Sequence, residues 1–134
     1  MALFLCIETA TEVCSVALFR DRLLLSERTS AGPNTHSAIL TAYMGETLRE
    51  AGVVPASLDA VAVSMGPGSY TGLRIGVAAA KGLCYAIGRP LVAVPRLQGM
   101  AAGMETEMQN VRCRVPGVKS GLPYLLCPMI DARR

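Results

Sequence analysis

The sequence predicts an α/β lobe in which a mixed five-stranded sheet carries packed helices, in the order β-β-β-α-β-α-β-α. Three observations lead there. Three strand-like apolar runs follow one another before any helical periodicity begins. Helical and strand-length segments then alternate. Finally, the turn Gly66-Pro67-Gly68 joins a strand-like run to a long helix rich in small residues.

Residues 3–7 are a continuous apolar run of strand length, and residues 13–19 are a second, with Ser15 inside it. The polar break Arg20-Asp21-Arg22 leads into Leu23-Leu24-Leu25, so the second and third runs form a predicted antiparallel hairpin. Gly32-Pro33 is punctuation, and Asn34 or Thr35 suits the N-cap of a helix. From His36 onward Ile39, Leu40, Tyr43, Met44, Leu48 and Ala51 recur at helical spacing, and Gly52 supplies the stop. Residues 58–64, with Val61-Ala62-Val63, make the fourth strand. A helix over residues 71–87 follows and ends at Gly88-Arg89-Pro90. Residues 91–94 form the fifth strand, and Pro95 suits the first turn of a last helix running to about residue 108. Residues 109–134 read as a polar link followed by an apolar run over 122–130, the expected opening strand of a second lobe that the chain does not continue.

Composition narrows the functional classes. With 134 residues and 51% hydrophobic content the chain holds one ordinary core and too little for two domains. No Trp, two Phe and four Tyr leave few stacking surfaces for single-stranded nucleic acid. A formal charge of +3 does not recruit polyanions strongly, although Arg112, Arg114, Lys119, Arg133 and Arg134 make the tail locally basic. The odd set Cys6, Cys14, Cys84, Cys113 and Cys127, embedded in apolar runs without a C-x-x-C pair, reads as reduced thiols of a cytoplasmic protein. No apolar run reaches the length of a membrane span.

The glycine-rich turn invites a phosphate reading, because free N–H groups and the helix dipole attract anions. The spacing fits neither a Walker loop nor the dinucleotide fingerprint: no Gly-Lys-Ser or Gly-Lys-Thr occurs, and Gly66, Gly68 and Gly72 are too widely spaced. The helix itself says more. Gly72, Gly76, Ala80 and Cys84 recur every four residues. Each interior glycine costs roughly 1 kcal/mol of helix propensity, so close packing must offset it, either inside this chain or against a partner.

Three segments then carry a resemblance. Ile7-Glu8-Thr9-Ala10-Thr11-Glu12-Val13-Cys14-Ser15-Val16-Ala17-Leu18, Gly66-Pro67-Gly68-Ser69-Tyr70-Thr71-Gly72-Leu73-Arg74-Ile75-Gly76 and Ile130-Asp131-Ala132-Arg133-Arg134 resemble the TsaB (YeaZ) family of tRNA threonylcarbamoyladenosine biosynthesis proteins. The likeness covers residues 1–108 and 125–134 and weakens over 111–121. It implies an ASKHA fold (actin-like ATPase, ribonuclease H-like) of the glycoprotease-like branch, with residues 1–108 as the N-terminal lobe. It also implies a non-catalytic scaffold that binds the catalytic subunit TsaD through its first two helices. TsaD, assisted by the ATPase TsaE, transfers a threonylcarbamoyl group to the adenosine beside the anticodon, so tRNA is reached indirectly. The same face is also compatible with self-association, as a homodimer, when TsaD is absent.

The residues bear on that division of labour. The catalytic relative presents two histidines one helical turn apart after the fifth strand, and the matching positions here are Arg96 and Met100. A permanent cation and a soft thioether do not replace imidazoles at a hard divalent metal. Glu8 is expected to be a structural hydrogen-bonding group, since Glu12 beside it would repel a polyphosphate. The lone histidine, His36, reads as a local hydrogen-bonding group. Catalytic, metal and cofactor residues are therefore expected to be none. The expected partner surface is His36, Leu40, Tyr43 and Thr47 on the first helix with Thr71, Gly72, Arg74, Ile75, Gly76, Ala79 and Lys81 on the second. The competing reading is an ATP- or metal-dependent transferase or a glycoprotease-like peptidase.

Overall fold

A computed structural model describes residues 1–31, 36–110 and 128–129. It places the strands β1 (Leu3–Glu8), β2 (Val13–Arg20), β3 (Leu23–Ala31), β4 (Ala60–Ser64) and β5 (Leu91–Val94) in one sheet of order β3-β2-β1-β4-β5. β1 pairs antiparallel with β2 and parallel with β4; β2–β3 is antiparallel and β4–β5 parallel. The helices are α1 (His36–Glu50), α2 (Tyr70–Ile87) and α3 (Arg96–Asn110), with a short 3-10 turn at Pro55–Ser57. The expected mixed five-stranded sheet and its element order are the architecture of the lobe.

Strand alternation sorts the side chains onto two faces. Leu5 lies opposite Leu18 and Val61, and Ile7 opposite Val16 and Val63, so these residues share one face. All six are buried, together with Leu40, Met44 and Leu48 of α1 and Ala80 and Cys84 of α2. α1 packs over β2 and β3, α2 over β4, and the two helices touch each other. The second face carries Phe4, Cys6, Ala17, Phe19 and Ala62, and the start of α3 approaches it: a β-carbon on Gly99 would lie 3.7 Å from Val94 Cγ1.

The third strand is longer than its apolar run. It continues through Ser26, Glu27, Arg28, Thr29 and Ser30 to Ala31, each paired with β2. This is an edge strand, stabilised by backbone pairing to one neighbour and by polar side chains that discourage a further strand. Arg28 reaches α1, where its Nη1 lies 2.7 Å from Glu50 Oε2 and its Nε 3.5 Å from Glu46 Oε2. The Ser26 hydroxyl also donates to Glu50. These bonds hold the Glu50 carboxyl below the usual carboxylate range, Ser26 first and Arg28 second.

Candidate functional site

α2 begins where β4 leaves the sheet, and its start is tied down by its own chain. The Ser69 hydroxyl caps the helix by accepting the Gly72 N–H at 3.2 Å, and the Ser69 N–H donates to Ala10 O at 2.7 Å. The turn between β1 and β2 thus lies where an anion would sit at a phosphate-binding helix start. Gly68, Gly72 and Gly76 make this possible. A β-carbon at Gly72 would fall 2.1 Å from Thr9 O, one at Gly76 2.2 Å from Thr9 Oγ1, and one at Gly68 2.3 Å from Ala10 O. The stripe Gly72, Gly76, Ala80 and Cys84 is buried within the chain, which settles the choice between internal and partner packing for those four positions.

The surface residues of the first two helices are therefore a different set from the stripe. Of the eleven positions expected to meet a partner, Thr71, Arg74 and Lys81 are exposed, while Tyr43, Ile75 and Ala79 are half-buried. His36, Leu40, Thr47, Gly72 and Gly76 are buried in this chain and support the surface from beneath. At 100° per residue Thr71, Arg74, Ala78, Gly82 and Tyr85 fall on the side of α2 opposite Gly76. A β-carbon on Gly82 would meet no heavy atom within 4 Å, and the same holds for Gly45 on α1. Ala38, Ala42 and Gly45 are exposed along α1 at helical spacing, so both helices present small residues outward. Tyr85 is 93% exposed and Tyr70 74%. Arg74 stacks over the Tyr70 ring at 5.3 Å and donates to its hydroxyl at 3.1 Å, which holds an aromatic and a cation together at the start of the face. Ala38, Ala42, Gly45, Ala78, Gly82 and Tyr85 are exposed positions outside the expected partner set, although the sequence pattern already placed Gly82 alongside the small-residue stripe. The missed signal was phase: small residues lie on both sides of α2, and only the core pattern of β1 and β4 tells which side is covered.

His36 lies 2.7 Å from Thr11 O through Nε2. A carbonyl only accepts, so Nε2 carries the proton and the imidazole fastens the start of α1 to the β1–β2 turn. Glu8 has the structural role its sequence context suggests: Oε1 accepts the Ala10 N–H at 2.6 Å, and Oε2 lies 3.9 Å from Arg96 Nε. The Arg96 N–H donates to Gly66 O at 2.8 Å, so α3 is joined to the glycine turn as well. The guanidinium beside Glu8 puts a fixed positive charge at the start of α3. Burial pushes the thiols of Cys6, Cys14 and Cys84 up, which keeps them protonated at neutral pH. Among the described residues no helix is long and apolar enough to cross a membrane. The basic tail, Cys113, Cys127 and nearly all of the expected second-lobe strand lie outside the described residues.

Comparison with known proteins agrees with this geometry. Residues 30–134 match the family model described as TsaD, tRNA N6-adenosine threonylcarbamoyltransferase. The chain is 36% identical over 99 residues to the tRNA threonylcarbamoyladenosine biosynthesis protein TsaB of Escherichia coli, covering 74% of this chain and 42% of that protein. It is 34% identical over 130 residues to TsaB of Bacillus subtilis, covering 97% of this chain and 50% of that one. The structure of YeaZ from Pseudomonas aeruginosa superimposes with a TM-score of 0.74 at 35% identity, over 82% of this chain and 51% of that one. The chain thus spans about half the length of the curated relatives it matches.

Proposed function

Because the chain belongs to the TsaB (YeaZ) family of the glycoprotease-like superfamily, we propose that it is a non-catalytic scaffold lobe of the tRNA threonylcarbamoyladenosine machinery. In this reading it binds TsaD in the cytoplasm and supports it, with TsaE joining the larger assembly and tRNA reached only through TsaD. One observation carries the proposal: the outward side of α1 and α2 combines open small residues, at which a β-carbon on Gly45 or Gly82 meets nothing, with the exposed ring of Tyr85. Such a surface lets a partner helix approach closely while aromatic and cationic side chains anchor its rim. A second copy of the chain is the competitor for this face when TsaD is absent.

Size-exclusion chromatography of the chain mixed with TsaD tests the reading. The complex is expected to survive the column with the native chain and to be lost with Gly82→Arg, whose side chain projects into open space and leaves the fold intact. Co-elution unaffected by Gly82→Arg together with Tyr85→Ala would remove this face from the proposal. Turnover of ATP by the purified chain alone would overturn the non-catalytic part and favour the transferase reading.

A further inference from the structure

The outward face of α1 and α2 carries charge of a single sign. Arg49 on α1 and Arg74 and Lys81 on α2 are exposed. The ion pairs among the described residues involve only Arg28 and Arg96, so none of the three cations has a carboxylate partner there. α2 holds no Asp or Glu in its 18 residues. The acids of α1, Glu46 and Glu50, lie about 60–100° round the helix from Arg49, on the flank where Arg28 of β3 reaches both. We propose that the occupant of this face is an acidic helix, one that sets carboxylates two turns apart on either side of a small or apolar residue. The proposal rests on the scaffold reading above and names the chemistry of the partner surface.

The spacing of the cations selects a helix. By helical geometry Arg74 and Lys81 fall within about 20° of each other and about 10 Å apart along α2, with Ala78 between them. Gly82 beside that row has open space where a β-carbon would be. A helix laid along the row therefore approaches to the close end of ordinary interaxial distances, about 8 Å, and meets a cation at each end of the contact. The Arg74 guanidinium is already held: it lies 5.3 Å from the centre of the Tyr70 ring and donates through Nη1 to the Tyr70 hydroxyl. Its remaining N–H groups are left for a carboxylate, at a reduced ordering cost. A second copy of the chain is the poorer occupant, because two such faces bring cations against cations. A phosphate backbone gains little from three cations, whereas the small residues between them fit a helix.

The first test needs only this chain. Arg74→Glu combined with Lys81→Glu makes the row acidic at two exposed positions where glutamate keeps helix propensity, so the variant supplies the acidic helix as a probe. In sedimentation at low salt, native–variant pairs are expected to be at least about tenfold tighter than native–native or variant–variant pairs, and molar salt should erase the difference. Equal affinity of the three pairings, or no mixed pairing, would overturn the proposal. The second test uses TsaD, whose association with the native chain should slow by about tenfold or more from low to molar salt, and by a similar factor when Arg74→Gln and Lys81→Gln are combined. TsaD binding that ignores both salt and these substitutions overturns the proposal and leaves the scaffold reading standing. TsaD that fails to bind at any salt overturns the scaffold reading, and mixed pairing then decides this proposal alone. Unmodified tRNA that binds the native chain more tightly than the acidic variant does, and is released by the charge reversal, would make the occupant a nucleic acid and overturn the proposal as well.

Discussion

Replacing single glycines of α2 by alanine separates inward from outward small residues by the sign of the stability change. Alanine in a helix interior gains about 1 kcal/mol over glycine when its methyl group has room. Gly82 has that room, so Gly82→Ala should stabilise the chain by about that amount. At Gly76 the new carbon would fall 2.2 Å from Thr9 Oγ1 and 3.3 Å from Thr9 Cβ, with Thr9 fully buried. Overpacking of this kind costs about 1–3 kcal/mol, so after the propensity gain Gly76→Ala should lose up to about 2 kcal/mol and should not gain the stability that Gly82→Ala does. At Gly72 the obstacle is the Thr9 carbonyl oxygen at 2.1 Å. A backbone atom cannot rotate away, and the loss should reach about 3 kcal/mol.

The second variant in the cycle is Thr9→Ala. It removes Oγ1 and Cγ2, two of the three atoms closest to the new carbon at Gly76, and forfeits no hydrogen bond because Oγ1 has no partner. Thr9→Ala should therefore rescue Gly76→Ala, with a coupling of about 1–2 kcal/mol, and should leave Gly72→Ala unrescued. Urea unfolding reads the result, since 1 kcal/mol moves the midpoint by about 0.3–1 M at ordinary slopes. If Gly76→Ala stabilises as Gly82→Ala does, or if Thr9→Ala rescues both glycine positions equally, the assignment of the stripe to the β1–β2 turn is wrong.

Other consequences are measurable with the same unfolding assay. Because Ser26 and Arg28 depress Glu50, its contribution is complete above the ordinary carboxylate value of about 4.3 and is lost as pH falls through the lower folded value. Glu50→Gln should accordingly flatten the acid limb of the stability curve and leave the limb above neutrality unchanged. Arg28→Ala, at a pair that is about one-third to one-half exposed, should cost no more than about 1 kcal/mol and should lose most of that in molar salt. His36→Ala removes the donor to Thr11 O and should cost about 1–3 kcal/mol, seen as a lower urea midpoint with unchanged slope. Tyr85→Ala, at a side chain that is 93% exposed, should shift stability by less than about 0.5 kcal/mol while weakening retention of TsaD on the column.

Most of the fold was legible because its signals are local. The runs that became β1, β2 and β4 are apolar and bounded by turn residues, and α1 announces itself by the spacing of Ile39, Leu40, Tyr43, Met44 and Leu48. The second half of β3 was hidden because Ser26, Glu27, Arg28, Thr29 and Ser30 are polar on both faces. A strand held by backbone pairing at an edge leaves little hydrophobic trace. The site was legible in part. The motif around Gly66–Gly76 marked a place of close approach, yet what approaches is the turn after β1, about 60 residues earlier in the chain. Long-range contacts of that kind are invisible to periodicity.

The two glycine-bearing sides of α2 also let one helix serve folding on one side and, in the proposed reading, association on the other. Gly72 and Gly76 let Thr9 pack directly against the backbone of α2, and that contact orients the β1–β2 turn that receives Ser69 N–H and His36 Nε2. Fixing the turn fixes the relative placement of α1 and α2, since one anchor begins each helix. Their outward faces, with Gly45 on one and Gly82 on the other, are then held in a constant relation and form a preorganised surface rather than two separate helices. Preorganisation lowers the ordering cost of binding. A variant such as Thr9→Gly, which loosens the turn without touching the outer face, should therefore weaken TsaD binding more than its exposure suggests. Equal binding by Thr9→Gly and the native chain, with both folded, would show that the helices keep their relation without this anchor.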